Sequence, residues 1–265
     1  GTSMLISPEK EELRRYWDIP VQTQRMSYGE AVEGVRDHLR QSIRLRLRSD
    51  VPLAFCLSGG VDSSALVSMA AKDLDYDVRT YSILDGDDRY NESDNINATV
   101  DHLGCHNHSI RLNPDEFHLN QLRDLVAYHD APVATISYYI HSLLIKAVAA
   151  DGIKVVLSGT AADEMVTGYY DHFLLHLAEV AGTSYHAPAL KGWSEHILPI
   201  TRNPILQNAN LYIDEPGARE HIYFKQDAFA EYLNVDFFEE FQESHYSDSL
   251  LRNRMLNELY HEATP

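Results

Sequence analysis

The chain has 265 residues, with 22 Lys and Arg against 40 Asp and Glu, for a formal charge of −18 at neutral pH. That excess of acid argues against a broad nucleic-acid footprint, while 44% hydrophobic and 10% aromatic residues are enough for a real core and too many for a disordered chain. The length suits one large α/β domain or two small ones, and the absence of a long uncharged apolar run and of signal-peptide order predicts a soluble, cytoplasmic chain with no membrane partner.

Taken in order, Gly1-Thr2-Ser3 ahead of Met4 reads as a leftover of expression and is set aside from the fold. Residues 5 to 28 read as charged and irregular. From Tyr28 to Arg48, Ala31, Val32, Val35, Leu39, Ile43 and Leu47 recur at helical spacing, which predicts an amphipathic helix. Its other face carries Arg36, Arg40, Arg44, Arg46 and Arg48, the one basic cluster of the chain. A solvated face is the default reading and an anion contact the alternative.

Pro52 opens Leu53-Ala54-Phe55-Cys56-Leu57, a short, continuous apolar run of the kind buried on both faces of a parallel sheet. Ser58-Gly59-Gly60-Val61-Asp62-Ser63-Ser64 follows at once, and Ala65 to Lys72 reads as a helix. Val78 to Leu84 is the next strand, followed by a polar loop from Asp85 to Asp94 and a helix ending near Leu103-Gly104. His108 to Leu112 is a third strand. Helical patterns cover about Pro114 to His129 and Ser137 to Ala150, Gly152 marks a helix end, and Ile153 to Leu157 is a fourth strand. Strands alternating with helices predict an α/β fold with a doubly wound parallel sheet, whose ligand sits beyond the carboxyl ends of the strands, where Ser58 and Ser158 fall. Residues 183 to 221 show little periodicity, and Phe224 to Glu262 reads as two or three short acidic helices. The expected division is a lead-in over 1–28, a nucleotide domain over 29–182, and an incomplete helical C-terminal extension of the same domain over 183–265.

The loop after the first parallel strand is chemically specific. Adjacent glycines let the backbone turn sharply, so that successive amides and serine hydroxyls converge on one point at a helix start, which suits an anion. No lysine follows, and the glycines are not spaced as in a dinucleotide fingerprint. Asp62 at the helix start would repel a bare phosphate, which makes sense with a cation such as Mg²⁺ between them. The plain alternative is a turn with Asp62 as a helix cap.

Ser58 to Ser64 resembles the pyrophosphate loop of ATP pyrophosphatases that form acyl or imidoyl adenylates, among them asparagine, GMP and NAD synthetases. A second block, Leu157-Ser158-Gly159-Thr160-Ala161-Ala162-Asp163-Glu164 followed by Gly168-Tyr169, resembles the second nucleotide-site motif of glutamine-dependent asparagine synthetases, Ser-Gly-acid-Gly-Ala/Ser-Asp-Glu then Gly-Gly-Tyr. Tyr16-Trp17, Arg46 to Pro52, Thr80 to Ile83, Tyr90 to Ser93 and Leu103-Gly104 with a downstream histidine pair agree with it. The resemblance covers residues 13 to 180 well and the remainder weakly. It implies an adenine-nucleotide alpha hydrolase-like, Rossmann-like fold and an ATP-dependent ligase that converts a small carboxylic acid into an amide through an acyl adenylate. By the same resemblance Asp62 and Asp163 would hold Mg²⁺, and Ser58, Gly59, Gly60, Ser63 and Ser64 would cradle pyrophosphate. Leu57, Ile83, Ser158 and Gly159 would line the adenosine, and ammonia would come from a glutaminase domain or subunit.

Three departures from that pattern carry expectations of their own. The resemblance makes aspartate the default acceptor, but Thr160 and Ala161 stand where the family has an acid and a glycine, which makes a different acid, such as a uronic acid or a secondary-metabolite acid, its rival. No cysteine lies near the start to serve as a glutaminase nucleophile, and Leu256 to Pro265 resembles the stretch just before a block with a pyrophosphate-binding lysine, so the chain reads as a fragment. The alternatives are a nucleotide-binding scaffold without turnover and a ligase of the GMP or NAD synthetase kind.

Other constellations weigh less. His102, Cys105, His106 and His108 lack a second ligand pair for zinc. Glu92 and Asp94 sit in a polar loop near the expected nucleotide mouth, solvated or touching ribose or substrate. Tyr138-Tyr139 and Tyr169-Tyr170 are core aromatics or shapers of an acceptor pocket. Glu164 and Asp171 are general-base candidates or caps of the helix near Asp163. Cys56 and Cys105 are too few for a disulfide framework and fit a reducing compartment.

Overall fold

The computed structural model describes residues 1–19, 24–86, 91–112, 119–133, 135–219 and 243–262. Tyr90, the start of the helix expected from Pro114, and the acidic helices expected between 224 and 242 lie outside the described residues.

Among the described residues four parallel strands form the sheet: β3 (Leu53–Cys56), β4 (Arg79–Leu84), β5 (His106–Arg111) and β6 (Val155–Leu157), in the spatial order β5-β4-β3-β6. Burial on both faces explains why β3 reads as a continuous apolar run: Leu53, Ala54 and Phe55 are all buried. On one face Leu53, Phe55 and Leu57 pack with Ile43 of α1 (Tyr28–Arg46), Val67 of α2 (Val61–Ser68) and Ile96 of α3 (Ser93–Leu103). On the other, Ala54 and Tyr81 pack with Leu144 and Val148 of α5 (Ile136–Ala150). Helices therefore cover both faces, as the alternation of elements predicts. α4 spans Leu119–His129 and packs on α5. Helix α1 begins on a capping box in which the Ser27 hydroxyl accepts the Glu30 amide and Glu30 accepts from the Ser27 amide. Its arginines are exposed, and Arg40 donates to the Asp73 carbonyl.

The topology turns at one place. The chain lays down β3, β4 and β5 in one direction and then returns to place β6 on the free side of β3. In the β3–β6 pair Phe55 stands beside Leu157, so the loops after the two strands leave the sheet at the same level. The carboxyl ends of β3 and β6 thus flank a topological switch point, where the two connections diverge and leave a crevice. The Ser82 hydroxyl, buried, donates to the Leu57 carbonyl at 2.7 Å, and the Leu57 amide donates to the Tyr81 carbonyl at 2.9 Å, which ties the end of β3 to β4 just ahead of the loop.

Two sequence expectations need correction. Thr2–Ser7 (β1) and Lys10–Arg15 (β2) form an antiparallel hairpin closed by Pro8-Glu9, so the lead-in is not irregular and Thr2 and Ser3, set aside from the fold, pair within it. Every residue of both strands is exposed, so the ladder is held by main-chain hydrogen bonds and has no buried face to impose an alternating pattern. The stretch after Gly182, read as irregular, forms α8 (His186–Gly192), short helical turns and α9 (Leu211–Asp214). Trp193, Leu206, Tyr212 and Ala218 pack there on Leu174, Leu175 and Leu177 of α7 (Tyr170–Val180), a second core whose anchors are too widely spaced in sequence to read as periodic. The C-terminal helix α10 (Leu250–Asn257) closes it with Leu250 and Leu251. Among the described residues no helix is long and apolar enough to cross a membrane.

Candidate active site

The crevice at the switch point is a cleft of about 700 Å³, within the roughly 300–1,000 Å³ usual for small-molecule sites. Its floor combines the two loops. From the first come Leu57, Ser58, Gly60, Asp62 and Ser63, and from the second Ser158, Gly159, Thr160, Asp163 and Glu164, with Ile83 on the neighbouring strand. These were separate motifs in the sequence, about a hundred residues apart, and one cleft receives both.

The first loop is built to bend. Gly59 has φ +90°, open to glycine and strained for other residues, and its α-hydrogen side lies against Glu92 and Asn95, where a Cβ would sit 3.1 Å from the Glu92 carbonyl. The Ser63 hydroxyl lies 3.0 Å from that of Ser58, accepts the Ser58 amide at 3.2 Å and donates to the Gly60 carbonyl. Helix α2 then starts without a side-chain cap on its first turn, and Asp62 and Ser63 of that turn line the cleft. Uncapped amides at a helix start, with hydroxyls beside them, make a receptor for phosphate oxygens. Gly59 and Ser64 stand behind the cleft wall, Ser64 within 3.4 Å of the Thr99 hydroxyl.

The second loop closes tightly on the first. A Cβ on Gly159 would meet the Ser63 nitrogen at 3.0 Å and the Asp62 Cβ at 3.2 Å. Asp163 and Glu164 lie in α6 (Ala162–Val166). The Asp163 carboxyl is held above its ordinary range, first by burial and then by the charges of Asp62 and Glu164. Carboxylates pushed together at a phosphate receptor are relieved by a divalent cation, so oxygen ligands of this kind fit Mg²⁺. Glu164 accepts the Tyr169 hydroxyl at 2.8 Å through Oε1, while Oε2 is buried with no partner among the described residues. Burial, then that hydrogen bond, raises the Tyr169 phenol, so it stays a donor. The Thr160 hydroxyl pairs with Ser158 at 2.7 Å and brings no charge to the cleft.

Strained backbone brackets α6. Ala161 has φ +73° and Thr167 φ +68°, and Thr167, with ψ 163°, lies in a region that side chains avoid. Strain of ~1–3 kcal/mol at Thr167 exceeds the ~0.5–1 kcal/mol that glycine costs through unfolded-chain entropy. Thr167→Gly is therefore expected to raise stability by about 1 kcal/mol in urea denaturation. For Ala161→Gly the left-handed penalty of ~1–2 kcal/mol exceeds the same entropy by less, so its midpoint should rise less than that of Thr167→Gly. A Thr167→Gly protein no more stable than the parent would show that the turn is unstrained.

Several cleft residues were not singled out for the site by sequence reasoning. Tyr81 shares one face of β4 with Ile83, the residue expected at the adenosine, by strand alternation, and His141, Leu144 and Ile145 share one face of α5 by helical spacing. Those periodicities were legible, but they mark a face without saying what faces it. Burial and the Asp151 hydrogen bond push the Tyr81 phenol up to about 12. Glu92 is on the cleft wall with its carboxyl raised by burial, and Asp94 is not. Of the four paired tyrosines only Tyr169 lines the cleft. Tyr139 is buried and donates to Gln121, and Tyr138 sits against His129. His108 stacks on Tyr81 at 5.3 Å and lies 3.1 Å from Asp151.

The family profile described as asparagine synthase matches residues 34–258, a span that contains both loops and the helices around them. The chain belongs to the asparagine synthase family. Among curated relatives, "Amidase chyE" of Penicillium rubens is 30% identical over 179 residues, covering 61% of this chain and 26% of that protein. "Asparagine synthetase [glutamine-hydrolyzing] 1" of Bacillus subtilis is 35% identical over 150 residues, covering 57% of this chain and 23% of that protein. The chain thus spans about a quarter of the length of these relatives. Among solved structures, the NH3-dependent NAD synthetase from Campylobacter jejuni aligns over 69% of this chain and 91% of that chain, at 15% identity and a TM-score of 0.34.

Proposed function

We infer that this asparagine synthase domain is the ATP-using half of an amide-forming ligase. The observation that carries the reading is the meeting of Asp62 and Asp163, from loops on adjacent strands, at one cleft that also presents an uncapped helix start. Asp62 and Asp163 would hold Mg²⁺, which when bound draws charge from the phosphate oxygens and fixes their orientation. The hydroxyls of Ser58 and Ser63 and the first amides of α2 bind the β- and γ-phosphates, where negative charge accumulates as pyrophosphate departs. Leu57, Ile83 and Gly159 seat the adenosine. A substrate carboxylate attacks the α-phosphorus in line with the leaving pyrophosphate, giving an acyl adenylate. Ammonia then attacks the acyl carbon and AMP leaves. Glu164, with its buried and unpaired Oε2, is the carboxylate placed to accept a proton from that nitrogen.

The Bacillus relative carries glutamine hydrolysis in its name, and we assign glutamine-derived ammonia, supplied by a glutaminase domain or subunit, as the nitrogen source. On the acceptor side, a neutral Thr160 in place of the family acid, together with relatives in Penicillium rubens and Gibberella zeae named amidases, favours a carboxylic acid other than aspartate. ATP–pyrophosphate exchange, measured on the longest natural form of the chain with a panel of acids that includes aspartate, tests the reading. Exchange that depends on one acid and on Mg²⁺ is expected. Nucleotide binding without exchange for any acid would replace the ligase by a nucleotide-binding scaffold, and no nucleotide binding would remove both.

A further inference from the structure

Behind the cleft lies a buried ionic group. The ligand atoms of Asp171, His172 and Glu258 all lie within 4.8 Å of one another. A metal has no room there, because Arg254 already supplies the cation: its Nε is 2.9 Å from Glu258 and 3.4 Å from Asp171. His172 is the member that reaches the active site. Its Nδ1 accepts the Gly168 amide at 3.3 Å, and its Nε2 lies 3.0 and 3.1 Å from the two Glu258 oxygens. An amide can only donate, so Nδ1 holds the lone pair and the ring proton is on Nε2, donated to Glu258.

Gly168 is the backrest of Asp163. Any Cβ at 168 would overlap Asp163 Oδ1, so the placement of that amide and the placement of the carboxylate are one question. The residue before it, Thr167, holds its φ of +68° against its own preference, and such backbone persists only where neighbours over-determine it. We propose that His172 is a positioning residue for Mg·ATP. Its Nδ1 pins the Gly168 amide and with it the turn against which the Asp163 carboxylate rests, while its Nε2 anchors the ring to Glu258 of the C-terminal helical segment. The proposal rests on the assignment of Asp163 to the Mg·ATP site.

Two substitutions separate the ring nitrogens. In His172→Asn the side-chain oxygen reaches the place of Nδ1 and can accept the Gly168 amide, but nothing donates to Glu258. In His172→Gln the side-chain nitrogen reaches the place of Nε2 and can donate to Glu258, but nothing accepts from Gly168. Calorimetric titration of the full chain with ATP, with Mg²⁺ and in EDTA, is run beside urea denaturation. His172→Gln should keep the urea midpoint and the affinity in EDTA while losing on the order of 10- to 100-fold in Mg·ATP affinity. His172→Asn should retain Mg·ATP affinity and lose stability. A His172→Gln protein that binds Mg·ATP as the parent does, or two variants whose affinities fall in step with their stabilities, would overturn the proposal. A parent that binds ATP no better with Mg²⁺ than without would overturn the site assignment, and the positioning role with it, before any variant is made.

Discussion

Asp62→Asn and Asp163→Asn should each weaken Mg·ATP binding by on the order of 100-fold or more, and leave AMP binding in EDTA nearly unchanged. Each removes one charged oxygen ligand from a hard cation and leaves the apolar seat of the adenosine intact. The same substitutions should act in the opposite sense on the metal-free protein. Asp163 is raised by burial and by the charges of Asp62 and Glu164, so ionising it costs stability in the fold. A carboxyl whose folded value lies above its unfolded one is most favourable to the fold below the unfolded value of 3.8, and that stability is lost as pH rises through the folded value. Asp62→Asn removes one of the two repelling charges. The metal-free variant should therefore lose less stability than the parent as pH rises out of the acid range, and melt higher at neutral pH. Thermal unfolding across pH, with and without Mg·ATP, reads both effects. A variant that loses metal-free stability and keeps Mg·ATP affinity would show that the Asp62 carboxylate supports the fold and is not a ligand.

Arg254→Met should cost about 3–5 kcal/mol of stability. Arg254 is 3% exposed and faces three carboxylates, Glu258, Asp171 and Glu243, the last at 3.4 Å from its Nη1. Without the guanidinium, His172 still donates to Glu258 and Arg219 still grips Glu243 through two hydrogen bonds of 2.6 and 2.7 Å, but the excess of carboxylates over guanidinium groups grows from one to two. Neutralising one acid should then help, so Glu258→Gln placed on Arg254→Met should recover part of the loss, although Glu258→Gln alone destabilises. Urea denaturation of the parent and the three variants forms the cycle. Additive losses would mean that Arg254 and Glu258 do not compensate each other, and the ionic group would then be packing alone.

The site was legible in the sequence to the extent that its chemistry is local. Ser58 to Ser64 states a receptor for anions in seven consecutive residues, because the turn, the amides and the hydroxyls belong to one short piece of backbone. Asp163 and Glu164 could be marked by motif in the same way. Tyr169 could be noticed only as one of a pair, since nothing local says that its hydroxyl meets Glu164 while Tyr170 stays off the cleft. His172 and Glu258 escaped as a pair: 86 residues separate them, and each alone looks like an ordinary helix residue. The exposed hairpin of β1 and β2 escaped because a ladder with no buried face leaves no hydropathy pattern.

By itself the sequence determined that the chain is α/β, that a buried strand runs into a lysine-free glycine turn, and that two carboxylate-bearing motifs belong to an ATP-using family. These are statements about neighbours along the chain, where spacing and backbone freedom decide. Only the tertiary structure decided that β6 lies beside β3 in register, so that Asp62 and Asp163 face one cleft, and that Gly168 links Asp163 to a buried ionic group under the site. Strand order and the meeting of distant side chains follow from how the sheet is covered on both faces, a balance of burial over the whole chain that no segment expresses alone.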